Sequence, residues 1–167
     1  FMPQVEWVLR HVTGAHQTML FSATLGGQVG NLVRRYMNDP REVSIDTPTA
    51  TVGTMSHLFL AVHRMDKDRV ITALAAGAGK TVVFCDTKRL CDKVADSLQD
   101  LHVKASALHG DMSQEARERS MANFRSGKKE ILVATEVAAR GIDVDDVTHV
   151  INYTVPEDEH AYLHRIG

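Results

Sequence analysis

Four short segments carry side chains suited to holding a phosphate or a nucleotide. They are Asp86-Thr87-Lys88-Arg89, His109-Gly110-Asp111, Thr135-Glu136-Val137-Ala138-Ala139-Arg140-Gly141-Ile142-Asp143, and His164-Arg165-Ile166-Gly167. Hydroxyls, glycine amides and the free N–H groups of a helix start bind phosphate oxygens, while arginine and aspartate engage a nucleotide or a facing domain. A fifth segment, Gly77-Ala78-Gly79-Lys80-Thr81, imitates the end of a phosphate-binding P-loop. That loop requires a glycine five positions before Gly79, where Leu74 stands. It also runs from a strand into a helix, and here the helical pattern comes first. The segment is therefore predicted to be a turn, with Gly77 or Gly79 closing the preceding helix and Lys80 an exposed loop residue. His160 and His164 are four residues apart, but no glutamate follows His160, so no metal site is expected.

The elements around these segments set where they lie. Thr81–Cys85, Val103–Leu108, Glu130–Thr135 and Val147–Tyr153 read as strands. The first of them has the apolar density of a strand buried on both faces. Helical stripes lie between them: Leu90, Cys91, Val94, Ala95 and Leu98, then residues 113–126 with Ser113 as N-cap, then a helix beginning near Pro156. Lys67–Ala76 is a further helix. Strand–helix alternation implies parallel strands joined by right-handed crossovers. In such a sheet ligands bind beyond the carboxyl ends of the strands, which is where all four chemical segments fall.

Upstream, the pattern predicts helices over 3–13 and about 27–37, short strands over Thr18–Phe21 and His57–Val62, and an extended Glu42–Ile45. Residues 46–54, small and polar, read as a linker. Composition narrows the class. With 44% hydrophobic residues, 24% charged residues and a formal charge of -2, the chain has material for a core and no bulk basic surface. Any nucleic-acid binding must rest on a few placed groups. The two cysteines, Cys85 and Cys91, have no metal or redox spacing and suit a reducing cytoplasm. No stretch suits a membrane span, so no membrane partner is expected.

Taken in order, the segments resemble the motifs of DEAD-box RNA helicases. Ser22-Ala23-Thr24 resembles the family's Ser-Ala-Thr motif. Val83-Phe84-Cys85-Asp86-Thr87-Lys88 is similar to motif IV, and Gln114-Glu115-Ala116-Arg117 to the Gln-x-x-Arg element. Ala134 to Val144 matches motif V along its length, with Glu136 where the family usually has aspartate, and His164-Arg165-Ile166-Gly167 resembles the first half of motif VI.

The resemblance implies a RecA-like parallel β-sheet flanked by helices, a three-layer α/β/α fold. It implies that residues 1–45 are the C-terminal segment of a first RecA-like lobe, 46–54 a linker, and 55–167 a second lobe cut within motif VI. By the same resemblance Gly141 and Asp143 bind the ATP ribose, and Thr87, Gly110, Gln114, Arg117 and Thr135 contact RNA or orient the residues that do. Ser22, Thr24, Arg140, His164 and Arg165 couple the lobes. ATP with Mg2+ is expected in the full-length enzyme, with nothing bound tightly by the fragment. RNA held by its backbone and the missing N-terminal lobe are the expected partners, and chains could exchange through residues 1–45. The P-loop, the DEAD carboxylates and the last arginines of motif VI are expected outside the chain, leaving the fragment inactive alone. The alternatives are a non-catalytic RNA or protein interaction lobe and a self-contained P-loop module.

Overall fold

A computed structural model describes residues 2–22, 25, 27–44, 55–139, 144–156 and 159–166. The chain divides into two compact units, Phe1–Thr51 and Val52–Gly167.

The first unit contains α1 (Met2–His11) and α2 (Gly27–Tyr36). Arg35 Nη1 donates to Glu6 Oε1 at 2.9 Å, tying the helices, and Leu32 is buried. The strand expected over Thr18–Phe21 does not form, and Phe21 is 89% exposed. A strand needs a neighbour for its N–H and C=O groups, and none lies within the described residues of this unit. Residues 42–44 likewise form no regular element, and the proposed linker lies outside the described residues.

The second unit is built on four parallel strands: β1 (Lys80–Cys85), β2 (Ala105–Leu108), β3 (Ile131–Thr135) and β4 (Val147–Asn152), in the order β2-β3-β1-β4. Successive residues of a strand point to opposite faces, which sorts the apolar side chains into two cores. Val83, Cys85, Ala105, Ile131 and Val133 pack with Ile71 of α3 (Lys67–Ala75) and with Cys91, Val94, Ala95 and Leu98 of α4 (Lys88–Asp100). Val82, Phe84, Leu108, Leu132 and Ala134 pack on the other face with Phe124 of α5 (Gln114–Arg125) and Ala138 of α6 (Glu136–Ala139). The result is the expected three-layer α/β/α arrangement. A last helix, α7 (Glu159–Ile166), follows β4.

Right-handed crossovers explain which helix goes where. The step from β1 to β2 runs toward one edge of the sheet and carries α4 over the first face. The step from β2 to β3 runs back, so α5 covers the second face, and β3 to β4 continues that way through α6.

Residues 57–62 do not form the expected strand. Leu58 and Phe59 are 72% and 85% exposed, and the segment is held by His57, which hydrogen-bonds the Tyr162 hydroxyl of α7. Its alternation fits a pleated surface, but no ladder partner is present among the described residues.

The core carries a direct test. Leu98 is fully buried on α4, while Leu101, one turn on, is exposed. Leu98→Ala is expected to cost about 2–5 kcal/mol through lost transfer energy and a residual cavity, and Leu101→Ala to stay within about 0.5 kcal/mol. Urea unfolding of both variants checks the difference.

Candidate functional site

The sheet register draws the expected segments together. Leu108 pairs with Ala134, Ala134 with Phe84, and Phe84 with Asn152, so one row crosses all four strands. At the usual strand spacing of about 4.8 Å this row spans roughly 14 Å. The next residues along the central pair, Cys85 and Thr135, are also opposite each other. Residues 86–88, 109–111 and 135–136, with Tyr153–Thr154, therefore leave the sheet at one edge. β1 sends its chain to the α4 face and β3 to the α6 face. Neighbouring strands whose connections part in this way open a crevice between their carboxyl ends. Thr87 stands on one side of it and Thr135 on the other.

Several side chains at this edge are held by specific partners. Thr87 is the N-cap of α4, its Oγ accepting from Leu90 N at 3.3 Å. Ser113 caps α5 in the same way, accepting from Ala116 N at 3.2 Å. Lys88 and Asp92, one turn apart on α4, both reach the loop after β2. Lys88 Nζ lies 2.5 Å from Asp111 Oδ1, and Asp92 Oδ1 lies 2.8 Å from His109 Nε2. His109 is 5% exposed, and its Nδ1 has no partner among the described residues. These two contacts clasp the Gly110 loop against the start of α4. Gln114 donates to Glu118 Oε1 at 2.8 Å along the exposed face of α5, and Arg117 is half-buried beside it.

Arg165, expected by resemblance to couple the lobes, is drawn into the edge of the second unit itself. It is 9% exposed. Its Nη1 donates to Asn152 Oδ1 and to the Thr154 carbonyl, both at 2.9 Å. Its Nη2 lies 3.6 Å from Glu136 Oε2, and the guanidinium sits 5.4 Å from the Phe84 ring centroid. One side chain thus ties α7 to the ends of β1, β3 and β4. Nearby, burial and the Asp68 carboxylate push the Tyr153 phenol up to about 12, so it stays a neutral donor. Lys67 Nζ donates to the Tyr153 carbonyl at 2.8 Å.

The P-loop-like segment is a turn, as expected from its order. Gly77 follows the α3 cap with φ +77, a left-handed conformation that glycine adopts freely. Lys80 is not a loop residue but opens β1, its Nζ donating to the Asp145 carbonyl at 3.3 Å. This lies at the amino end of the sheet, with no helix start to receive a phosphate.

Ser22 is exposed in the first unit. Thr24, Arg140, Gly141 and Asp143 lie outside the described residues, as does the side chain of His164. Sequence reasoning missed the Asp92–His109 contact. The four-residue spacing of Lys88 and Asp92 on one helix face was its signal. Among the described residues no group of three His, Cys, Asp or Glu side chains is arranged for a metal, and no helix is long and apolar enough to cross a membrane.

Comparison with known proteins bears on this edge. A family profile described as "Helicase conserved C-terminal domain" matches residues 66–167. The chain is 39% identical over its whole length to the DEAD-box ATP-dependent RNA helicase CshA of Geobacillus kaustophilus, covering 36% of that protein. It is 37% identical to CshA of Bacillus subtilis, covering 34%. It thus spans about a third of the length of these curated relatives. Among solved structures, S. cerevisiae Dbp5 bound to RNA and ADP BeF3 matches with a TM-score of 0.81 at 28% identity, over 98% of this chain and 44% of that one. The E. coli DEAD-box protein SrmB, bound to regulator of ribonuclease activity A, matches with a TM-score of 0.60 at 34% identity, over 64% of each chain.

The two kinds of charge contact at the edge should differ sharply in weight. Arg165→Ala removes the buried guanidinium that joins Glu136, Asn152 and the Thr154 carbonyl and is expected to cost about 3 kcal/mol. Arg165→Lys should recover little of that, since only a planar guanidinium reaches all three partners. Lys88→Ala, which breaks an exposed pair, is expected to change stability by about 1 kcal/mol or less. Thermal and urea unfolding of the three variants measure the contrast.

Proposed function

Since this chain belongs to the helicase conserved C-terminal domain family, in its DEAD-box branch, we propose that its sheet edge is one half of a split ATP- and RNA-binding site. The observation that carries the reading is the single row through Leu108, Ala134, Phe84 and Asn152. It delivers the Gly110 loop, Thr135 and Thr87 to one crevice edge of a RecA-like sheet.

In this reading the parent protein couples ATP hydrolysis to RNA unwinding or to remodelling of RNA–protein complexes. Residues 1–45 are the end of a first RecA-like lobe, 46–54 the linker, and 55–167 the second lobe. Gly110, Thr135 and Thr87, with Gln114 and Arg117 at the start of α5, hold RNA phosphates. Contacts of this kind read no sequence. Gly141 and Asp143 take the ATP ribose. Arg140 and His164 face the first lobe, and Ser22 and Thr24 act from that lobe's side.

Arg165, buried against Asn152, Thr154 and Glu136, serves as a positioning residue rather than one that reaches across. The described edge offers hydroxyls, a glycine amide and the start of α4, which suit phosphate oxygens. It holds no grouped carboxylates for Mg2+. In this reading the triphosphate and its Mg2+ are held by groups of the parent protein's other lobe, and closure of two lobes completes a site that works by positioning and charge stabilisation.

Two measurements test this. Residues 1–167 alone are expected to show no RNA-stimulated ATP hydrolysis, and Lys80→Ala to leave nucleotide binding unchanged. Robust hydrolysis by this chain would overturn the split site, and loss of binding in Lys80→Ala would favour a self-contained P-loop. Fluorescence anisotropy with an oligouridine should give a shallow salt dependence. A slope of log K against log salt of about -0.7 is expected, since Arg117 is the one cation among the named contacts, and Arg117→Gln should bring it close to zero.

A further inference from the structure

The loop that follows β2 lies against a cation of α4. Lys88 opens that helix, and its Nζ lies 2.5 Å from Asp111 Oδ1. A Cβ built on Gly110 would stand 3.6 Å from Lys88 Cε and 3.9 Å from its Nζ. The ammonium is therefore poised beside Gly110, and an anion bound at that residue lies within its reach. Both members of the pair are more than half exposed, so the position is open to a ligand from solvent.

The loop does not depend on this pair for its place. Asp92 Oδ1, one turn along α4, lies 2.8 Å from Nε2 of the buried His109, and Met112 N donates to the His109 carbonyl at 3.3 Å. Both contacts remain when Lys88 leaves Asp111. The lysine can turn while Gly110 stays where it is.

We propose that Lys88 is a phosphate-binding group held in reserve by Asp111: a phosphate arriving at Gly110 displaces the carboxylate and takes the ammonium in its place. An exposed lysine–carboxylate pair is weak, and the lysine stem is flexible, so the exchange meets little resistance. The phosphate brings oxygens that accept strongly from an ammonium. Asp111 acts as an internal competitor, since every anion that binds at Gly110 must displace it or face its charge. That the phosphate is part of an RNA backbone rests on the proposed function; the exchange of carboxylate for phosphate does not.

The exchange leaves a signature in salt. A nucleic-acid phosphate that gains a protein cation releases a condensed counterion, and binding then falls as salt rises. Asp111, once bare, collects a cation from solution. The two effects nearly cancel, so Lys88 is hidden from the salt dependence of the unaltered chain and Arg117 alone sets it. Removing the Asp111 charge breaks the cancellation and brings Lys88 into view.

The test is fluorescence anisotropy of residues 1–167 with labelled oligouridine, with inorganic tripolyphosphate as a second probe followed by calorimetry. Asp111→Asn is expected to tighten oligouridine binding about fivefold at about 50 mM salt and to steepen the slope of log K against log salt from about -0.7 to about -1.4. Lys88→Gln should weaken binding and leave the slope at about -0.7. In the double variant Lys88→Gln with Asp111→Asn, both the gain and the steeper slope should vanish. Asp111→Glu, which keeps the charge, should bring back the wild-type slope. A slope unmoved by Asp111→Asn overturns the proposal. So does a gain that survives in the double variant, because Asp111 would then act by plain repulsion, and so does an equal gain in Asp111→Glu. Arg117→Gln separates this proposal from the reading it extends. If Arg117→Gln weakens binding while Asp111→Asn changes nothing, the exchange is wrong and the RNA reading stands. If Asp111→Asn tightens tripolyphosphate through Lys88 while no variant binds oligouridine, the exchange stands and the RNA reading falls.

Discussion

The parallel pairing of β1 between β3 and β4 is the constraint on which the rest of this structure depends. It sets Cys85 opposite Thr135 and Phe84 opposite both Ala134 and Asn152. A slip of one residue would exchange the two faces of β1, turning Val83 and Cys85 away from α4 and Val82 and Phe84 toward it. The two cores, of different shape and lined by different helices, therefore lock the register from both sides. Because the register is locked, three loops and the chain leaving β4 reach one edge together. No contact among the loops themselves is needed to gather them.

What the edge contacts add is local placement, and burial decides how much each contributes. The Lys88–Asp111 pair is more than half exposed on both partners, so screening and side-chain entropy offset most of its attraction. Its use is to hold a loop in one of several nearby positions. Arg165 works under other rules. Its guanidinium is almost fully withdrawn from water, and a buried charge is tolerated only when its hydrogen bonds are made. Asn152 and the Thr154 carbonyl at the end of β4 take two of its hydrogen bonds and Glu136 at the end of β3 supplies the opposite charge, while Nε has no partner among the described residues. The cost of leaving any of them unmatched is what keeps α7 seated.

Much of this was legible in the chain, and the pattern of success has a physical cause. The stripe Leu90, Cys91, Val94, Ala95 and Leu98 could belong only to a helix lying on an apolar face. The run Thr81–Cys85 was dense enough for a strand covered on both sides. The parallel α/β layers follow from alternation and chain handedness alone. The strands expected over Thr18–Phe21 and His57–Val62 failed for a complementary reason. Alternation shows that a segment suits a sheet, but a strand exists only with a neighbour, and neighbours are not encoded within the segment. The direction of Arg165 was hidden similarly. Its motif suggested a role at the edge, while its partners come from residues 11, 13 and 29 positions away in sequence and meet only after folding.

The glycine-rich turn at Gly77–Thr81 shows why residue type alone does not assign chemistry. Glycine, lysine and threonine are all present there, and the same residues after a strand would frame a phosphate. Here they follow the end of α3, whose free groups are carbonyls, and they open β1 at the amino edge. The α3 carboxyl end presents partial negative charge, which repels a phosphate. Thr87 and Gly110 belong to less suggestive stretches, but each follows a strand, and Thr87 adjoins the amino end of α4 with its free N–H groups. Chain polarity, not composition, separates a phosphate-binding edge from a plain turn. In a parallel sheet that polarity is the same for every strand, so the helix starts suited to a phosphate all lie on one side of it.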